Sequence, residues 1–111
     1  MKSEELRIAK TESQFREVNE RIAETAERFG ATEAELVCEC SDPECGHRIE
    51  APLADYERVR TDGAQFLVAP GHENPDHERV ARHRPGYRIV AKLRGIAAAA
   101  RRLNPRPETT S

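Results

Sequence analysis

The chain has 111 residues, of which 34% are charged and 37% hydrophobic, with three Phe, two Tyr and no Trp. That length allows one domain with one modest core, and a core this poor in aromatics points to a metal ion or an oligomer as part of its stability. No run of about 18 apolar residues occurs, so no helix that spans a membrane is expected. Met1-Lys2-Ser3-Glu4-Glu5 leads straight into charged sequence and lacks the features of a secretory signal. The expectation is a cytoplasmic protein that makes no membrane contact.

The first ten residues are polar and read as a flexible N-terminus. A helix is predicted over residues 12 to 29. Its residues Phe15, Val18, Ile22, Ala26 and Phe29 recur at helical spacing and make one apolar stripe. Thr11 or Ser13 suits the start as a cap, and Gly30 stands where a helix end favours a left-handed residue. The stripe is expected to dock on the protein's own sheet. Ile8, Phe15, Val18, Ile22 and Phe29 also fit a heptad, so a homodimer through this helix is the alternative.

Residues 35 to 40 read as a strand, Ser41-Asp42-Pro43-Glu44 as a turn, and residues 46 to 51 as a returning strand. Pro52 then opens a short helix from Leu53 to about Arg60. Residues 66 to 69 form a third strand that Pro70-Gly71 ends. Asn74-Pro75 reads as the start of a short helical turn through Val80. After the Pro85-Gly86 turn, residues 87 to 93 alternate as a half-buried strand. Residues 94 to 103 form a basic, Ala-rich helix, and the chain from Asn104 onward, with two prolines and Thr-Thr-Ser, reads as disordered. The fold class is α+β: a long N-terminal helix packed on a small antiparallel sheet with a zinc knuckle. The expected division is a flexible segment 1–10, a zinc-binding domain 11–93, and a basic, partly disordered tail 94–111.

Chemistry concentrates in Cys38-Glu39-Cys40-Ser41-Asp42-Pro43-Glu44-Cys45, with the spacing C-x-C-x4-C. Residues two apart on a strand share a face, so Cys38 and Cys40 can meet one ion. The Asp-Pro turn can return Cys45 to it. Three cysteines in an intracellular chain argue against a disulfide framework, whereas three thiolates favour Zn2+, which takes four N or S ligands in a structural site. The fourth ligand is expected to be His72, presented beyond the strand end by Pro70-Gly71. His47, two residues after Cys45, competes with it. His77 and His83 fall in arginine-rich, exposed segments.

The runs Phe15-Arg16-Glu17-Val18-Asn19-Glu20, Val37-Cys38-Glu39-Cys40 with Cys45, Leu53-Ala54-Asp55-Tyr56-Glu57 and Phe66-Leu67-Val68-Ala69-Pro70-Gly71-His72-Glu73 resemble a family of small uncharacterised actinobacterial proteins. The resemblance covers residues 13 to 93. It implies that the histidine of the F-L-V-x-P-G-H-E segment accompanies the three cysteines, which selects His72. It implies no activity. CDGSH iron–sulfur proteins also use three cysteines and a histidine, but their Cys-Asp-Gly segment is absent.

The function expected is a structural Cys3His zinc site in a protein-binding, adaptor or regulatory module. The net charge of −2 hides opposite halves: residues 1–78 carry nine Lys and Arg against 19 Asp and Glu, and residues 79–111 carry nine against one. A nucleic-acid-binding protein using Arg79, Arg82, Arg84, Arg88, Arg101 and Arg102, with Lys92 and Arg94, is therefore one alternative. Another is a redox-responsive zinc switch or a small zinc enzyme. In the enzyme, water would fill a ligand position and Glu39, Asp42 or Glu73 would be the base. No catalytic residue has a motif behind it.

Overall fold

A computed structural model describes residues 3–104. The elements are α1 (Ser3–Arg28), β1 (Glu33–Val37), β2 (Arg48–Pro52), α2 (Leu53–Arg60), β3 (Gln65–Val68), β4 (Glu78–Arg84), β5 (Tyr87–Lys92) and α3 (Arg94–Arg102). The class is α+β, with the strands divided into two antiparallel sheets: β1 beside β2, and β3-β5-β4 in that order. Among the described residues no helix is long and apolar enough to cross a membrane.

Helix α1 begins at Ser3, well before the Glu12 that the apolar periodicity suggests. Residues 3 to 10, read from the sequence as a flexible extension, form its first turns and bury Ile8 and Ala9. Its end follows the sequence signal. Ala31 N–H donates to Ala26 C=O at 2.9 Å and Gly30 N–H to Glu27 C=O at 3.0 Å. Gly30 takes a φ of 74°, the left-handed residue that this closure requires.

The face that α1 buries corrects the sequence reading. Val18 is 45% exposed and Phe29 81% exposed, so the apolar stripe does not dock whole. The buried face instead runs through Glu12, Arg16, Asn19 and Ala23. These positions also have helical spacing, but Glu12, Arg16 and Asn19 are polar, which hides the face from a hydropathy pattern. The three polar side chains are tolerated because each makes at least one buried bond, with Glu12 Oε1 and Arg16 Nε left without a hydrogen bond among the described residues. Arg16 Nη1 donates to Gly63 C=O at 3.1 Å, its Nη2 donates to Gln65 C=O, and its guanidinium lies 3.7 Å from the centre of the Phe66 ring.

Glu12 belongs to a second buried group. Lys92 Nζ donates to the carboxylates of both Glu12 and Glu78, and none of the three side chains is more than 2% exposed. One cation serves two carboxyls here. Burial pushes the Glu12 carboxyl up from 4.5 to about 7, against the pull of Lys92. A carboxyl raised in the folded state binds its proton more tightly there than in the unfolded chain. Its contribution is therefore complete below about 4.5 and is lost as pH rises through about 7. Glu12→Gln is expected to remove roughly 3 kcal/mol of the stability that wild type loses between pH 5 and 8. Urea denaturation of both proteins across that range checks this; parallel curves would assign the titration elsewhere.

The β1–β2 hairpin pairs Leu36 with Ile49 and Ala34 with Ala51, and these side chains enter the core with Tyr56, Val59, Leu67, Ile89 and Val90. β1 ends at Val37, so Cys38 and Cys40 lie just beyond the strand expected to hold them. The alternation still continues past the strand end. Cys38 N–H donates to His47 C=O at 2.9 Å, and Glu39 N–H donates to Leu67 C=O at 2.8 Å. That second bond ties the two sheets together.

The helical turn expected from Asn74 through Val80 closes after one turn. His77 and Glu78 N–H both donate to Asn74 C=O at 3.0 Å, and the chain then leaves as β4. Val80 pairs with Val90 across the β4–β5 hairpin, where a β-branched side chain packs better than in a helix. The hairpin closes at Pro85-Gly86, with Gly86 at a φ of 83°.

Helix α3 buries Ile96, Ala97, Ala99 and Ala100 and packs along α1, where Ser13 Oγ donates to Leu103 C=O at 2.9 Å. This part of the expected tail thus belongs to the folded body. Asn104 accepts a bond from Arg60 at 2.6 Å; the rest of the segment expected to be disordered, residues 105 to 111, lies outside the described residues.

Candidate metal centre

Three short segments converge beside the joint between the two sheets. The first is Cys38-Glu39-Cys40, whose alternation sends Glu39 one way and the cysteines the other. Glu39 is fully buried against α1. Its Oε1 accepts Leu67 N–H at 3.0 Å and its Oε2 accepts Asn19 Nδ2 at 2.8 Å, with Arg16 at 3.5 Å. Asn19 also meets the backbone of Val37 twice, donating to its C=O at 2.9 Å and accepting its N–H at 2.8 Å. Helix α1 thereby grips residues 37 and 39 and turns residues 38 and 40 toward the opposite side. Arg16 and Asn19 are the residues that sequence reasoning missed. Their signal was a polar face at helical spacing.

The second segment is the turn from Asp42 to Cys45. Cys45 N–H donates to Asp42 C=O at 3.0 Å, and Asp42 Oδ1 accepts Glu44 N–H at 2.9 Å. Pro43 supplies the φ that a turn needs after its first residue. The third segment is the turn after β3. His72 N–H donates to Ala69 C=O at 3.0 Å, with Pro70 at the second position and Gly71 at the third with a φ of 85°. That geometry is a type II turn. It folds His72 back over the cysteines.

The outcome is a compact donor set. The Sγ atoms of Cys38, Cys40 and Cys45 and a ring nitrogen of His72 all lie within 4.8 Å of one another. His72 Nδ1 is 3.7 Å from Cys38 Sγ and 3.5 Å from Cys45 Sγ. A tetrahedral ion bonded to sulfur at about 2.3 Å and nitrogen at about 2.0 Å separates those donors by roughly 3.5 Å. Ala69 N–H also donates to Cys38 Sγ at 3.2 Å, the kind of supporting bond that orients a metal thiolate.

The electrostatics also suit a cation. A hydrogen bond from Cys38 pulls the Cys40 thiol down to about 5. That same bond, and then burial, push Cys38 up; burial pushes Cys45 up. Three adjacent thiols cannot all ionise unaided, because each new thiolate meets the last. A divalent cation removes that conflict and holds all three deprotonated.

The other sequence candidates are placed as follows. His47 is exposed and lies outside the donor set, its ring stacked edge-on to His72 with centres 5.0 Å apart. His77 and His83 are also outside it. Glu39 faces α1, so it cannot act as a base at an ion held by Cys38 and Cys40. Glu73 accepts Gly71 N–H at 3.1 Å. Of the basic residues, Lys92 is buried with its two glutamates, Arg84 lies 3.5 Å from Asp55, and Arg101 lies 3.3 Å from Asp62. Arg88 donates to the C=O of Arg84 and of Tyr87 at 2.9 Å each. Arg79 and Arg82 are exposed on β4, and Arg94 and Arg102 on α3. These basic side chains lie on β4, β5 and α3.

No protein-family model matches the sequence, and no curated protein or solved structure is significantly similar to it.

Proposed function

We propose that Cys38, Cys40, Cys45 and His72 hold one structural Zn2+, and that the chain is a zinc-stabilised binding or adaptor module of a reducing compartment such as the cytoplasm. The observation that carries this reading is the donor set of three sulfurs and one imidazole nitrogen within 4.8 Å. Sulfur-rich tetrahedral sites select zinc over harder divalent ions. Four protein ligands complete the tetrahedron, whereas a catalytic zinc keeps one position for water or substrate. The ion would join the loop between β1 and β2 to the turn after β3, which suits a structural part.

Elemental mass spectrometry of the purified protein tests the assignment. One zinc per chain is expected, with a large loss in Cys45→Ser and in His72→Ala and no loss in His47→Ala. Iron with a coloured sample, or no metal, would overturn it.

A further inference from the structure

The apolar stripe of α1 that the core does not absorb has a neighbour. Ile22, Thr25 and Ala26, with Arg21, form one wall of a groove of about 450 Å³ whose other wall is Ala34 and Glu35 of β1. Exposed Val18 and Phe29 continue the stripe along the helix in both directions. This groove lies toward the end of β1 away from the cysteines.

The edge of β1 away from β2 has no strand beside it among the described residues. The bond from Cys38 N–H to His47 C=O, with the register Leu36 to Ile49 and Ala34 to Ala51, sets the alternation. It directs the N–H and C=O of residues 34, 36 and 38 toward β2, and those of 33, 35, 37 and 39 outward. Val37 is occupied by Asn19 and Glu39 N–H by Leu67. Glu33 and Glu35 have no strand beside them among the described residues.

The charge around this edge is lopsided. Glu33, Glu35 and Glu50 are exposed, and Glu35 stands directly opposite Glu50, a like-charge pair that costs stability. The basic residues placed beside them are Arg21 in the groove wall and Arg48 opposite Val37. A second copy of the chain is a poor occupant, because two-fold pairing along β1 would set Glu33 and Glu35 against their own copies.

We propose that this edge and groove bind an extended peptide segment of another protein, added as a strand alongside β1, in which aliphatic and basic residues alternate. The backbone of Glu33 and Glu35 supplies the strand hydrogen bonds. With a side-chain period of two, one set of peptide residues enters the groove against Ile22, Ala26 and Ala34. The other set lies beside Glu33 and Glu35 and relieves the Glu35–Glu50 repulsion. The glutamates that block edge-to-edge pairing of like chains thus select the partner. The surface is separate from the metal centre, so this proposal can fail while the zinc assignment stands.

The test is selection of a displayed library of random nine-residue peptides on the full, metal-loaded chain, followed by fluorescence anisotropy of the enriched sequences as synthetic peptides. Enriched peptides should alternate Val, Ile or Leu with Lys or Arg. They should bind at least tenfold more weakly to Ile22→Glu and to Glu35→Lys. Glu35→Lys changes an exposed side chain, so metal content and circular dichroism should be unchanged in it. Slowed amide exchange at Glu33 and Glu35 on binding would support strand addition. The proposal is overturned by a library that yields no binder, or by binders indifferent to both substitutions. It is also overturned by a chain that is dimeric at micromolar concentration and that Ile22→Glu makes monomeric, since a second copy would then cover the face.

Discussion

Stripping the metal from the purified protein is expected to lower its melting temperature by 20 °C or more, with recovery on adding back Zn2+. Structural zinc contributes about 10–16 kcal/mol of apparent binding free energy in small peptides, and binding is coupled to folding. A domain of this size loses roughly 4–8 °C for each kcal/mol, so even a fraction of that energy is a large shift. The geometry gives the reason. The two sheets meet at the segment 38–40, where Glu39 N–H bonds Leu67 C=O, and an ion held by the donor set would tie that segment to Cys45 and to the turn carrying His72. Without an ion, three crowded thiols replace three ligand bonds. Cys38→Ser, at a buried position, should cost more than Cys45→Ser at a half-exposed one. A stripped protein with an unchanged melting temperature would refute a structural role, whatever its metal content.

The second large effect is expected from Lys92→Met. Its ammonium is the cation shared by Glu12 and Glu78, and removing one partner of a buried ionic group costs about 3–5 kcal/mol because the others stay buried and uncompensated. The consequence reaches the metal centre through the chain. Glu78 Oε2 accepts Asn74 N–H at 2.9 Å, and Asn74 follows His72 by two residues in the same connection. Urea denaturation measures the loss directly. Adding Glu12→Gln and Glu78→Gln to Lys92→Met should restore most of it, because the cost lies in unpaired anions rather than in a lost attraction. A triple variant no more stable than Lys92→Met would shift the explanation to packing around Phe66, whose ring centre lies 5.3 Å from Lys92 Nζ.

Much of the architecture was legible in the sequence, and each legible part rests on short-range chemistry. Helix α2 occupies the span that Pro52 and its apolar residues suggest. The Gly30, Pro70-Gly71 and Pro85-Gly86 signals became a helix end and two tight turns, because a positive φ at a glycine is a local requirement. The C-x-C-x4-C spacing contains its own geometry: alternation brings Cys38 and Cys40 to one side, and an Asp-Pro turn returns Cys45.

What the tertiary structure alone decided is which surfaces meet. Hydropathy reads Glu12, Arg16, Asn19 and Lys92 as solvent-facing, and they are among the most buried side chains of the protein. Their partners are Glu39, Gly63, Gln65 and Glu78, most of them tens of residues away, so no local pattern could announce the match. The same holds for the strand that replaced the helical turn after Glu78, where pairing with β5 overrode the N-terminal cap signal. By itself the sequence determined the turns, the three-cysteine knuckle and the class of the fold, because those follow from backbone preferences within a few residues. Only the folded chain decided which face of α1 is buried; His72 was already expected from the sequence, and the fold groups it with the three cysteines. A polar group's preference for the interior depends on a partner that folding must first bring to it.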